Sequence, residues 1–311
     1  MAVARGVALP PGALAVGLAA LLDAALGEPP DSLHPVAWFG RLVDPIDRRW
    51  PAAGLVGVLA AVGLPLVAAS VAWGAVALAA GRPLVAALAC GAVLFLTTSR
   101  ERLLAEARGV CAESERDLPA ARDRLRALAG RDASTLSAGE VRSAAVESAA
   151  ENLADGLVAP LLAFALAGQV SLAAGAAAAA WVTAVDVLDS MLGYPDHPLG
   201  WGPARLDDAA MWLPARASAL LLAVVAGEPT TLRRASRWAR EVPSPNSGWP
   251  MGTLAAALDV RLAKPGAYVL NRGADPPSPA EARRGVRAVG VAGLLAYGLA
   301  ALAVGVPEVL A

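Results

Sequence analysis

The chain has 311 residues, of which 57% are hydrophobic and only 17% charged, and its net charge is −1. A soluble protein carries about a quarter charged residues, so lipid is part of the solvent here, and the balanced charge leaves no basic field for nucleic acid. Lys264 is the only lysine, which argues against a Walker-type phosphate loop; the isolated Cys90 and Cys111, with His34 and His197, exclude a disulfide framework and a His-rich metal centre.

In chain order, Arg5 followed by apolar residues has the outline of a signal peptide. However, Asp23 interrupts the run and longer apolar runs follow, so 9–26 reads as an uncleaved first membrane helix. A spanning helix needs about 20 mostly apolar residues. Runs 51–80, 83–98, 157–188, 209–227 and 285–306 are the further candidates. Pro65, after Gly63, is expected to kink the first of these. Run 157–188 divides at Gly168-Gln169 into a hairpin of two helices short enough to be re-entrant. Pro214 and Arg216 interrupt 209–227, so this run enters and returns or lies along the surface; the last run is expected to stop at Pro307-Glu308. The fold class is all-α: a multi-pass helical integral membrane protein forming one membrane-embedded domain over 1–311.

Polar regions at 27–50, 99–156 and 228–284 separate the runs. The first is a Pro-rich loop. In the second, Leu103, Leu104, Ala107, Val110 and Cys111, then Leu118, Leu125 and Leu128, recur at helical spacing, which predicts an amphipathic helical hairpin broken near Pro119. Ser137 and Glu140 form a capping box that opens a helix running toward Asp155. Arg41, Arg48 and Arg49, the arginines of 100–131, and Arg233, Arg234, Arg237 and Arg240 place these regions in the cytoplasm by the positive-inside rule. A full crossing by 209–227 would put 228–284 outside, so the parity of the spans stays open.

Glu147, Glu151 and Asp155, four apart, share one helical face beside Asn152. Three carboxylates on one stripe repel one another unless a cation or basic partner neutralises them; the plainer alternative is a solvated face paired with residues such as Arg142. Asp186 and Asp189 share a face at the end of an apolar stretch, where ionisable groups usually serve a cavity or bound ion. Asp207 and Asp208 follow a Gly/Trp turn with Arg205. Paired acids suit Mg²⁺, which favours carboxylate and water oxygens, although Asp207 also suits a helix cap. Asp31, His34 and Arg41 in the Pro-rich loop, and Asn246 between prolines, are taken singly no more than turn residues.

Together these motifs resemble the adenosylcobinamide-phosphate synthase (cobinamide synthase) family of cobalamin biosynthesis. The resemblance rests on GEPPDSLHPVAWFGR at 27–41, GRD at 130–132, AAVESAAENLADGLVAPL at 144–161, LDSMLGY at 188–194, GWGPARLDD with WLPAR at 200–216, and PSPNSGWP at 243–250, in that order over nearly the whole chain. It implies a ligase of the cell membrane, its active site facing the cytoplasm. The implied reaction is ATP-dependent amide formation between a propionate of (adenosyl)cobyric acid and (R)-1-amino-2-propanol or its phosphate. The corrinoid is substrate, and ATP and Mg²⁺ are the implied cofactors. On that resemblance Glu151, Asp155, Asp189 and Asp208 would hold the metal, and Glu147 or Asp207 would be the base for the incoming ammonium. Arg41 and Arg205 would hold phosphate or corrin carboxylates. Asp31, His34, Asn152, Asp186 and Asn246 would complete the substrate site. Departures from the family pattern stand at Asp186 and Val187, where an Asn-Thr pair is usual, at Met251, where Glu is usual, and around 264–270.

Other readings are an ion-coupled transporter using Asp186 and Asp189, another Mg²⁺-dependent membrane transferase acting on a phosphorylated alcohol, and a scaffold subunit. The small-residue faces suit self-association, as a homo-oligomer or with other corrinoid-pathway enzymes.

Overall fold

The structure is a computed structural model that describes residues 9–126, 128–129, 132–194 and 197–310; Gly130 and Arg131 of the motif at 130–132 lie outside the described residues. Among the described residues fourteen α-helices follow one another: α1 Pro11–Leu26, α2 Pro35–Val43, α3 Ala53–Ala77, α4 Pro83–Thr97, α5 Glu101–Glu113, α6 Leu118–Leu125, α7 Ala138–Leu153, α8 Ala159–Ala167, α9 Leu172–Leu192, α10 Trp201–Ala210, α11 Trp212–Ala226, α12 Thr230–Trp238, α13 Gly248–Leu258 and α14 Pro279–Leu310. Between α13 and α14 a short antiparallel pair, β1 Leu262–Lys264 and β2 Tyr268–Leu270, closes a hairpin that the sequence reading did not foresee. Among the described residues five helices are long and apolar enough to cross a bilayer, or six if the bent pair α10–α11 makes one span. The chain is a multi-pass helical membrane protein.

Local signals start the helices where polar side chains can take up the free N–H groups of a first turn. The capping box forms, with Ser137 Oγ accepting from the Glu140 N–H and Glu140 accepting from the Ser137 N–H. Likewise, Asp117 caps α6, Ser171 caps α9, and His34 Nδ1 accepts from the Val36 N–H at the start of α2. The amphipathic hairpin is α5 with α6. Leu103, Leu104, Ala107, Val110 and Cys111 form the buried face of α5, as their spacing predicts. The run at 157–188 breaks between α8 and α9, also as predicted.

Three helices continue through positions marked in the sequence. Helix α3 runs on through Pro65, the residue expected to kink it. The polar helix α7 does not end before the apolar run: it passes through a π-helical turn, Ala154–Val158, directly into α8, so that Ala138–Ala167 is one helical stretch of 30 residues. The change from polar to apolar side chains marks a change of surroundings, whereas backbone hydrogen bonding continues across it. In the third case, α14 runs past Pro307, because a late proline removes one hydrogen bond without ending the helix. The interrupted run near 209 bends by 46° at the α10–α11 junction.

Two helices organise the packing. Helix α7, buried on almost every side, touches α5, α6, α13, α14 and β1, while α9 touches α3, α4, α8 and α10. The π turn sits between them and packs on α11. Small residues allow close approach: a side chain at Gly57 or Gly202 would collide with the backbone of Leu199 or Val58, respectively. Outward, α3 exposes Leu55, Leu59, Val62, Leu66 and Val71, an apolar surface that suits hydrocarbon.

Candidate functional site

The π turn aims the middle of the long α7–α8 stretch at the ends of α9 and α10. Asp155 stands on that turn, within electrostatic range of Glu151, Asp186, Asp189 and Asp207, each of which repels it. Asp207 is in the same range of Asp186, Asp189, Asp208 and Glu151. Six carboxylates from three separate segments, these two included, therefore lie within electrostatic range of Asp155 or Asp207. Single-turn π insertions are common at functional sites because they rotate side chains out of the regular helical register. Arg205 Nη2 pairs with Asp208 Oδ2 at 3.0 Å and sets a cation beside the group. A side chain at Gly193 would collide with the Asp189 carboxylate, so the end of α9 is shaped around that acid.

Beside this group lies a cavity of about 400 Å³, within the range of small-molecule sites. Asp186, Asn152 and Gly156 form its wall toward the acids, and Asp31 and His34 close it from the α1–α2 loop. Further polar residues of the wall were not legible beforehand: Thr97, Thr98, Ser99 and Thr183, with Arg102. The polar run Thr97-Thr98-Ser99-Arg100 directly after an apolar helix was the signal that could have pointed to it. Arg102 is held by Glu28 at 2.6 Å, and the Ser99 N–H donates to the Gly156 carbonyl at 2.9 Å, which ties the wall to the π turn.

Three expected site residues stand elsewhere. Glu147 is fully buried. It accepts hydrogen bonds from Ser143 Oγ and Tyr268 Oη, each at 2.8 Å, which places it in the packing of α7 against the β hairpin. Arg41 is exposed and donates to the Asp31 carbonyl at 3.4 Å, bracing the loop from outside the cavity. Asn246 is buried; it donates to the Asp208 carbonyl at 2.8 Å and accepts from Arg216 at 2.6 Å. Arg216 in turn lies over the rings of Trp212 and Trp249. Asn246 therefore joins the loop before α13 to the backbone of an acid of the group. The sequence marked Arg216 only as an interruption of an apolar run, and not as the partner of Asn246.

The donor chemistry fits a hard divalent cation. Asp189 Oδ1 and Asp207 Oδ1 are buried without a hydrogen-bond partner, and carboxylate oxygens are what Mg²⁺ selects. Asp208 Oδ2 also lacks a hydrogen bond but has its ion pair with Arg205. Among the described residues no three His, Cys, Asp or Glu side chains are already drawn into a metal-holding arrangement, so binding would require the carboxylates to turn inward.

Fold and site together define a helical membrane protein with a carboxylate-rich polar centre between its helices. A family profile described as "CobD/Cbib protein" matches residues 16–292. Among similar proteins, the "Probable cobalamin biosynthesis protein CobD" of Methanothrix thermoacetophila is 36% identical, covering 92% of this chain and 94% of its own. The "Cobalamin biosynthesis protein CobD" of Klebsiella pneumoniae is 36% identical over 82% of this chain and 83% of its own, and the "Cobalamin biosynthesis protein CbiB" of Salmonella paratyphi A is 36% identical over 88% of each. No solved structure matches. The chain belongs to the CobD/CbiB family.

Proposed function

We propose that this chain acts in cobalamin biosynthesis as a membrane ligase. It would join (R)-1-amino-2-propanol, or its phosphate, to a propionate carboxylate of (adenosyl)cobyric acid, with ATP converted to ADP and phosphate. The observation that carries this reading is the convergence of six acids beside an open polar cavity, in segments that hold the family motifs. A carboxylate condenses with an amine only after activation, which ATP supplies; Mg²⁺ held by Glu151, Asp155, Asp189 and Asp208 would offset the phosphate charge.

This chain's own side chains divide the remaining work. Asp207, with a buried unpartnered oxygen facing the other acids, is the candidate to take a proton from the incoming ammonium. Glu147, sealed against Tyr268, keeps a structural role. Arg205, exposed beside Asp208, is placed to receive a phosphate or a corrin carboxylate. Asn152, Asp186, Asp31 and His34 orient substrate from the cavity wall. A cytoplasmic opening fits the arginine distribution.

Purified full-length protein given cobyric acid, aminopropanol or its phosphate, ATP and Mg²⁺ is expected to form the amide. Solute flux into proteoliposomes, with no amide from either amine, would replace this reading by a transporter, which the acids in spanning helices and the bent α10–α11 pair would then serve.

A further inference from the structure

Away from the acid site, a second polar cleft of about 400 Å³ opens between the far end of α5 and the first turns of α14. Arg108, Arg116, Arg283 and Arg287 line it, with Glu115 as the acid opposite. Glu115 is taken by Arg283, and Arg108 is paired with Glu101 at 3.0 Å. Arg116 and Arg287 have no ion partner among the described residues, so the cleft keeps an uncompensated positive charge. The two clefts share no lining residue: Arg102, Leu103 and Glu106 of α5 border the acid-lined cavity, whereas Arg108, Cys111 and Ala112, further along the helix, border this one. The two sites are separate.

With Arg284, Arg287 also borders a neighbouring groove of about 390 Å³ whose other walls are apolar: Leu222 and Val225 of α11, Leu258 of α13, and Ala288 and Val291 of α14. The groove continues along α14 as an exposed stripe through Val291, Leu295 and Leu302. We propose that this composite site binds an anionic phospholipid of the bilayer, its phosphate among the arginines and an acyl chain along the groove and stripe. Charge complementarity selects the headgroup: guanidinium forks match phosphate oxygens. The apolar extension from Arg287 along α14 to Leu302 selects the source, since free phosphate has nothing to place there and a nucleotide base is too short to cover it. Arginines at the end of a spanning helix are where a lipid phosphate resides.

The test uses full-length protein purified in a neutral detergent, with phosphatidylglycerol or phosphatidylcholine added in mixed micelles, and inorganic phosphate or ATP in parallel. Phosphatidylglycerol is expected to raise the melting temperature by mass action and phosphatidylcholine to leave it unchanged. The double variant Arg116→Gln/Arg287→Gln removes no ion pair; it is expected to lose phosphatidylglycerol affinity by about fivefold for each charge removed. Native mass spectrometry of the wild-type protein, in which phosphatidylglycerol but not phosphatidylcholine stays bound, gives a reading that does not depend on the variant folding. Equal retention of the two lipids, unchanged affinity in a folded double variant, or stabilisation by phosphate or ATP in place of phosphatidylglycerol would each overturn the proposal.

Discussion

Glu147 and Asp155 lie on one helical stripe, eight residues apart, yet their surroundings are opposite. Tyr268, 121 residues away in sequence, donates to Glu147, so this carboxylate is already satisfied inside the core. Removing that donor by Tyr268→Phe is expected to destabilise the fold by about 1–3 kcal/mol, because a buried acceptor is left short of a partner. Turnover per folded molecule should stay near wild type, which denaturation in detergent and a product assay can compare. Asp155 has the reverse character. Repelled by four acids, it contributes little to folding that a neutral group would not match. Asp155→Asn is expected to insert and melt as the wild type does, or at slightly higher temperature, while losing about a hundredfold or more in turnover. The sequence showed the shared stripe, and it could not show which of these acids meets Tyr268 and which meets Asp186, because those partners come from elements distant along the chain.

At the scale of elements, the π turn is the device that matters most. It carries Gly156 into the cavity wall and Asp155 among the acids, and a Cβ at Gly156 would meet nothing within 4 Å. Gly156→Ala should therefore be tolerated or even gain up to about 1 kcal/mol from the better helix former. Gly156→Leu should fill the cavity and cut product formation at an unchanged melting temperature. A loss of stability in parallel with activity would mean that the space is not a substrate cavity. The junction between α4 and α5 depends on a different residue. Asp23 of α1 is buried, and its Oδ1 accepts from the N–H groups of Arg100 and Glu101, each at 3.1 Å, so that α1 caps α5 from outside. Asp23→Ala should cost about 1–2 kcal/mol, the usual loss of a helix cap. From the sequence Asp23 was only an interruption in an apolar run; a cap supplied by another helix leaves no local pattern. By contrast, the cap at Ser137 and the buried face of α5 were legible, since both depend on residues three or four apart.

For the whole molecule, hydropathy was enough to show a helical membrane protein and most of its apolar segments, because the bilayer demands long apolar runs with satisfied backbones. The same signal misplaced the end of α7, since a helix can pass from a polar to an apolar setting without a break, and three-residue strands around the turn at Pro265-Gly266 carry too little pattern to be read. Convergence of the acids is the property on which the functional account depends, and it arises only when α7–α8, α9 and α10 are assembled. An electron paramagnetic resonance titration of the detergent-solubilised protein with Mn²⁺, standing in for Mg²⁺, tests it most directly. One bound ion is expected in the wild-type protein, weakened alike by Asp155→Asn, Asp189→Asn and Asp208→Asn, which alter three different segments. Unchanged Mn²⁺ affinity and stoichiometry in all three folded variants would contradict a shared site.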